Sequence, residues 1–182
     1  LTPRVTIALV IVWLIIVNFF ALFALNRLNL APDNAYRWIN PDEFRQEKSW
    51  NPLALPAHWD STWYLQIARD GYTYRGPEQF SNIVFFPLYT TLIALLAPVL
   101  FANHVLAGWL ISARCLISFS VLFTRFLTRF HPDVDQRYAL GFLLAFPTAY
   151  FLNTESTESL FLLLTLATFF QLKRLLPKFL KL

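Results

Sequence analysis

Apolar and polar positions fall in long blocks along this chain, and the blocks predict its elements. Residues 5–25 contain no charged side chain. About 20 apolar residues in a helix cross a hydrocarbon core of roughly 30 Å, so this run is long enough. Arg4 precedes it, as in a secretory signal. A signal's apolar core is only about 7–15 residues and ends at a small-x-small cleavage site. No good site stands around Ala24, which favours a retained anchor. A polar, mixed stretch follows, 26–82, with Pro32, Pro41, Pro52 and Pro56, several Trp and both charge signs. So long a connection is usually functional. Further apolar runs lie at 83–101, at 105–127 (interrupted by Arg114 and Arg125), at 138–152 and at 159–172. Polar 128–137 and 153–158 separate the last three, and a basic tail, 173–182, closes the chain.

The cations decide the topology. If every run crossed a membrane from a cytoplasmic N-terminus, Arg125, Arg129, Arg137, Lys173, Arg174, Lys178 and Lys181 would all fall outside. That breaks the positive-inside rule. If 83–101 instead lies in the interface or dips in and returns, every basic cluster becomes cytoplasmic. Pro87 and Pro98 near its ends also disfavour a straight span. The expectation is therefore an all-α polytopic membrane protein with spans at 5–25, 105–127, 138–152 and 159–172. An external loop, 26–104, carries the interfacial segment 83–101, and the turn at 153–158 shares its side. Asp60, Glu155 and Glu158 then face the same compartment.

Composition narrows this further. The chain is 57% hydrophobic and 14% charged, against about 25% charged in ordinary soluble domains. That excludes disorder and disfavours a water-soluble globule. The net charge of +4 would raise nucleic acid as a partner in a soluble protein. Here the cations flank apolar runs, so no nucleic acid is expected. The lone Cys115 excludes an internal disulfide framework. With no Met and Leu1 first, the chain is expected to be a fragment whose native start is missing.

Candidate chemistry begins at 58–72, His-Trp-Asp-Ser-Thr-Trp-Tyr-Leu-Gln-Ile-Ala-Arg-Asp-Gly-Tyr. Trp63, Tyr64, Ile67 and Ala68 recur at helical spacing, with Thr62, Gln66 and Arg69 opposite. The spacing predicts a short amphipathic surface helix over 59–70, stopped by Gly71. Asp60 at its start reads either as an N-cap accepting amide hydrogen bonds or as a working carboxylate. Glu155 and Glu158 stand one helical turn apart. Glu158 opens an apolar helix, where a carboxylate also suits the helix dipole. Arg114 lies midway along a span, where a cation costs at least about 2.5–3.5 kcal/mol and is a functional hypothesis. It would meet an acidic partner or a lipid phosphate in the bundle. Arg69 and Arg75 are solvated loop charges or steer a phosphate.

Trp59-Asp60, Trp63-Tyr64, Ile67-Ala68, Gly71-Tyr72, Asn82 and Phe85-Phe86-Pro87-Leu88-Tyr89 resemble the phosphatidylinositol-glycan class V mannosyltransferases and their bacterial relatives. Phe146-Pro147-Thr148-Ala149 followed by Thr157-Glu158-Ser159-Leu160-Phe161 resembles a second motif of that family. The blocks keep the family's order and cover roughly residues 55–172. The resemblance implies a GT-C fold, of which this chain would be the N-terminal helical bundle with juxtamembrane helices in its external loop. Full-length members are about twice as long, so a C-terminal transmembrane half is expected as a missing partner. The implied activity is transfer of mannose from a polyprenyl- or dolichyl-phosphate donor to a glycolipid or glycan acceptor, as in GPI-anchor-like biosynthesis. The implied setting is a bacterial plasma membrane or the endoplasmic reticulum membrane.

By the same resemblance Asp60 is the catalytic residue and Glu158 a second active-site carboxylate, whereas Glu155 gains no support. His58, Trp59, Asn82 and Arg114 are the candidate substrate contacts, and Asn82 also reads as a hydrogen-bonding residue of the loop. His58 would orient Asp60 or touch phosphate, and also reads as a satisfied surface histidine. Trp59 would stack on sugar, and the loop's aromatics also read as membrane-interface anchors. The chemistry suits a carboxylate, which takes the proton of an attacking hydroxyl, worth about 10²–10⁴-fold. Attack opposite the lipid phosphate inverts the anomeric carbon through an oxocarbenium-like transition state. The leaving phosphate wants a cation or a divalent metal, magnesium or manganese. No nucleotide fingerprint, Gly-rich phosphate cradle or Cys/His metal cluster occurs, which fits a lipid-linked donor. Two other readings stay open: a transporter or channel piece with Arg114 and Glu158 along a polar path, and a non-catalytic membrane subunit or remnant.

Overall fold

The structure is a computed structural model, and it describes residues 1–28, 60–74, 76 and 81–179. His58, Trp59 and Arg75 lie outside the described residues. Among the described residues six α-helices carry the fold: α1 (Pro3–Leu28), α2 (Ser61–Asp70), α3 (Pro87–Leu96), α4 (His104–Phe130), α5 (Gln136–Ala145) and α6 (Glu158–Phe179). Three 3-10 segments, Asn82–Val84, Ala97–Leu100 and Pro147–Asn153, join them, and no strand occurs among the described residues. Among those residues two helices, in Pro3–Phe23 and His104–Phe130, are long and apolar enough to cross a membrane. On α1, Ile15, Ile16, Phe19 and Phe20 are 59–70% exposed, a surface that hydrocarbon covers better than water. Two such helices suggest membrane association.

The apolar run at 83–101 does not form one long helix. Pro87 opens α3 at its first position, where its missing N–H is no loss. With the 3-10 turn that follows, the apolar helix covers Pro87–Leu100. Fourteen helical residues rise about 21 Å, short of a hydrocarbon core of roughly 30 Å. The chain then reverses through Phe101 and Ala102, both with positive φ (57° and 60°), a costly backbone for residues with a Cβ. Hydrogen bonds from the Ala102 and Asn103 amides to the Ala97 and Leu100 carbonyls (2.9 and 3.1 Å) hold the reversal. Asn103 caps α4 by accepting from the Leu106 amide at 2.9 Å.

The run at 138–152 is likewise divided. Pro147 forces Phe146 into an extended backbone (ψ 136°), so α5 ends at Ala145 and a 3-10 segment continues. The break frees carbonyls at the end of α5, and the Trp13 indole of α1 donates to that of Leu144 at 2.9 Å.

Helix α4 packs against α1, α2, α3, α5 and α6. Its buried face is built largely of small residues: Ala107, Gly108, Ser112, Ala113, Cys115 and Ser120. Small side chains let neighbouring backbones approach closely, the usual device where apolar helices pack without a hydrophobic drive from water. Two clusters result. In one, Val10 and Leu14 of α1 meet Ala113, Leu116 and Phe119 of α4 with Ala149 and Leu152. In the other, Tyr64 of α2, Tyr89 and Ile93 of α3 and Leu160 of α6 close on Ala107 and Cys115.

The two ends of the bundle differ chemically. At one end the N-terminal ammonium donates to Gln136 Oε1 (2.9 Å), and Gln136 Nε2 donates to Thr128 Oγ1 (2.7 Å). Lys173 Nζ lies 5.4 and 5.3 Å over the rings of Phe126 and Phe130, and Arg129 lies 5.6 Å from the Phe130 ring. Arg4, Arg125 and Arg137 belong to the same helix ends. At the other end Asn153 Oδ1 accepts from Asn18 Nδ2 (3.2 Å) and Trp109 Nε1 (3.1 Å), joining α1, α4 and the turn before α6.

Leu116 is fully buried between α1 and α4. Truncating it leaves a cavity that close packing cannot refill, so Leu116→Ala is expected to cost about 2–5 kcal/mol of stability. Reversible unfolding in mixed micelles measures this, and a change below about 0.5 kcal/mol, typical of unpacked positions, would remove Leu116 from the core.

Candidate functional site at the Tyr64 rim

Helix α2 forms where the apolar stripe places it. Tyr64 and Ile67 are buried, Trp63 and Ala68 half-buried, and Thr62 and Arg69 exposed. Gly71 ends the helix with φ +85°, while its amide still donates to the Ile67 carbonyl at 2.9 Å. Asp60 stands at the cap position with a helical backbone (φ −68°, ψ −12°), and its side chain makes no capping hydrogen bond. Its backbone carbonyl takes the Trp63 and Tyr64 amides instead (3.1 and 3.2 Å). The carboxylate is exposed, so Asp60 is not a side-chain cap. By contrast Asp135 does cap α5, accepting from the Arg137 amide at 2.8 Å.

The residues that follow α2 fold back onto it. The Tyr64 ring meets the edges of Phe85 (5.0 Å) and Tyr89 (5.4 Å), and Trp63 stacks on Phe85 at 6.1 Å. The Tyr72 hydroxyl donates to the Phe85 carbonyl at 2.7 Å. Asn82 is fully buried: its Oδ1 accepts from the Thr73 amide (2.7 Å) and its Nδ2 donates to the Gly71 carbonyl (3.3 Å). Both ends of that amide are engaged in fixing the end of α2. Asn82 is therefore a latch of the loop.

Tyr64 also reaches α6. Its hydroxyl lies 3.4 Å from Thr157 Oγ1, next to Glu158 at the start of that helix. Burial pushes the Tyr64 phenol up; the Thr157 hydrogen bond opposes this, and the carboxylates of Asp60 and Glu158 push it further up. Two exposed carboxylates, one at the head of α2 and one at the head of α6, thus act on the same phenol. The arrangement is a rim where two solvent-exposed acids stand near one tyrosine, able to accept protons or hydrogen bonds from a polyhydroxylated ligand.

Other candidates fall elsewhere. Arg114 is exposed while Ser112, Ala113, Cys115 and Leu116 around it are buried. It occupies the outer side of α4 and is not among the groups acting on Tyr64. The bundle interior does not receive it, which corrects that expectation: its long side chain has no room on a face of close-packed small residues. Arg69 is bound to Asp70 at 2.9 Å, and that hydrogen bond holds the Asp70 carboxyl below its ordinary range. An apolar groove of about 420 Å³ opens beside Phe123, Phe142, Phe146 and Leu162, and its lining carries no titratable group. Among the described residues no three His, Cys, Asp or Glu side chains gather as a metal ion would require. No family model, curated protein or solved structure matches the chain.

Sequence reasoning missed Glu155. A turn written Asn-Thr-Glu-Ser-Thr looks solvated, yet Glu155 is 0% exposed and both carboxyl oxygens lack a hydrogen-bond partner. The one available signal was Gly108, a helix-interior glycine whose missing Cβ leaves room for something. An ideal Cβ there would stand 2.9 Å from Glu155 Cγ. Burial pushes the Glu155 carboxyl up to about 8, against a pull from its own backbone amide, which falls short of hydrogen-bond geometry. Between pH 4.5 and about 8 the folded chain therefore keeps a proton that the unfolded chain has released. Stability is highest below that window and falls as pH rises through it, by about 1.4 kcal/mol per unit. Glu155→Gln should flatten that slope, measured by unfolding from about pH 5 to about pH 9. An unchanged slope would assign it to another group.

Proposed function

We propose that this chain forms part of a polytopic membrane glycosyltransferase of the GT-C type. In that reading α1, α4, the α5 segment with its 3-10 continuation, and α6 span the bilayer, and α3 lies shallow. The enzyme transfers mannose from a polyprenyl- or dolichyl-phosphate donor to a hydroxyl of a glycolipid or glycan acceptor. The observation that carries the reading is the contact of the Tyr64 hydroxyl with Thr157 Oγ1 at 3.4 Å, which sets the head of α6, with Glu158, beside the helix that follows Asp60. The two blocks with the family resemblance also meet there, through Tyr64 and Thr157.

Asp60 acts as the general base. Its carboxylate is exposed and free of capping, so it is available to the acceptor hydroxyl. As the oxygen attacks the anomeric carbon from the side opposite the phosphate, Asp60 takes its proton. The bond to the phosphate oxygen breaks, the phosphate departs with its electron pair, and the configuration inverts. Glu158 accepts a hydrogen bond from a sugar hydroxyl and fixes the ring in the rim. The Trp63–Phe85 stack and Tyr64 form the apolar floor beneath. In this reading the chain's own carboxylates handle the proton and orient the sugar.

The test is transfer by the full-length protein in proteoliposomes supplied with polyprenyl-phosphate-mannose. Asp60→Asn keeps size and polarity but removes the base, so turnover should fall about 10²–10⁴-fold. Wild-type turnover in that variant would reject the assignment.

A further inference from the structure

We propose that Glu155 is a proton-binding switch: as the neutral acid it seats the turn at 154–157 in a notch on α4, and on losing its proton it drives that turn out and parts Thr157 from Tyr64. The switch acts on the Tyr64 rim but does not depend on glycosyl transfer, because its test uses no sugar donor.

The notch comes from sequence. Gly108 sits inside α4, where glycine is unfavourable by about 0.8–1.0 kcal/mol relative to alanine. Its bare backbone receives the Glu155 stem: an ideal Cβ would lie 2.9 Å from Glu155 Cγ and 3.3 Å from Glu155 Cβ, with Ile93 Cδ1 of α3 at 3.4 Å. Both carboxyl oxygens end in this enclosure without a partner. A leucine or methionine would fill such a pocket with no polar group to satisfy. A neutral acid is tolerable there; an unpaired carboxylate is not, since burying an isolated charge is far costlier than burying a polar group.

The turn is built to move as a unit. Thr154 Oγ1 and Ser156 Oγ both donate to the Phe151 carbonyl (2.9 and 3.1 Å) and lie 2.9 Å from each other. Ser159 Oγ donates to the Leu152 carbonyl at 2.7 Å. The bonds from the turn to its surroundings are longer. Ser112 Oγ donates to the Ser156 carbonyl at 3.4 Å, and Thr157 meets Tyr64 at 3.4 Å. Asn153, held by Trp109 and Asn18, is the fixed point on which the turn pivots.

The groups around Glu155 do not compensate its charge. From α3 comes Tyr89, kept neutral by burial and bonded to Ser112 Oγ (2.8 Å) and the Gly108 carbonyl (3.0 Å). From α4 come Gly108 and Ser112, and the titratable residues of that helix, His104, Arg114, Cys115, Arg125 and Arg129, do not act on Glu155. Neither do Tyr64, Arg69 and Asp70 of α2 or Glu158 of α6. Ionisation is therefore relieved by leaving the notch and not by pairing within it.

Linkage gives the expected size. With the turn open, Glu155 titrates like an ordinary glutamate, near 4.5; with it closed, near 8. Between those values the open population grows roughly tenfold per pH unit, and above them it levels off. The experiment uses the full chain in nanodiscs with Cys115→Ser and a reporter, Ser156→Cys, at a buried turn position. A water-soluble maleimide labels the thiol, and each rate is divided by that of the same chain unfolded in detergent at the same pH, which cancels thiol ionisation. With Glu155 present, the ratio should climb roughly tenfold per unit from about pH 5.5 to about pH 8. With Glu155→Gln it should stay low and flat. With Gly108→Ala, whose methyl fills the notch, it should be high at every pH. A flat ratio with Glu155, an equal climb with Glu155→Gln, or full protection in Gly108→Ala would each overturn the switch.

Discussion

An ionised side chain cannot rest unpaired inside an apolar helical bundle, and this exclusion orders the molecule. The cations gather where α4 ends, α5 begins and α6 finishes, with Lys173 lying over the Phe126 and Phe130 rings. The accessible carboxylates Asp60 and Glu158 stand at the opposite end, at the heads of α2 and α6. Between them most buried polar side chains are amides and hydroxyls that find a hydrogen-bond partner, such as Asn18–Asn153–Trp109 and Tyr89–Ser112, while the Ser120 hydroxyl has none. The two side chains that break the pattern are the most informative. Arg114 obeys the exclusion by staying on the outside of α4. Glu155 obeys it by holding a proton.

The small-residue face of α4 converts that ordering into a site. Because Gly108 and Ser112 present almost no side chain, the turn before α6 and the tyrosine of α3 both reach the helix backbone. That close approach carries Thr157 to Tyr64, and with it Glu158 to the helix that begins at Asp60. Pro147 contributes by ending α5 early, which turns the following residues into a 3-10 segment directed at the same corner. The rim is thus the outcome of three local backbone effects: a missing Cβ, a proline break and a glycine stop at Gly71.

Much of this was legible in the chain. The buried side of α2 follows from the spacing of Tyr64 and Ile67, its end from Gly71, and the shortness of the 83–101 helix from Pro87 and Pro98. What was not legible depended on side-chain direction. A hydroxyl-rich turn has the same composition whether it faces water or folds inward, so nothing in the sequence marked Glu155 as buried. Asp60 has the composition of a cap, but its backbone is already helical and its side chain makes no capping hydrogen bond. Asn82 could have served a ligand or the loop, and only the positions of Thr73 and Gly71 decide for the loop. Arg114 looked like an interior charge because periodicity does not reveal which face of α4 is crowded.

The proposed chemistry and its regulation both require that this bundle cross a bilayer with Asp60 and Glu158 on one side and Arg129 and Arg137 on the other. Impermeant thiol labelling of sealed, oriented vesicles is the decisive check, with single cysteines at Asp60, Glu158, Arg129 and Arg137 in a Cys115→Ser background. The Asp60 and Glu158 positions should label from one side only, and the Arg129 and Arg137 positions only from the other. Labelling of all four from the same side would refute this placement.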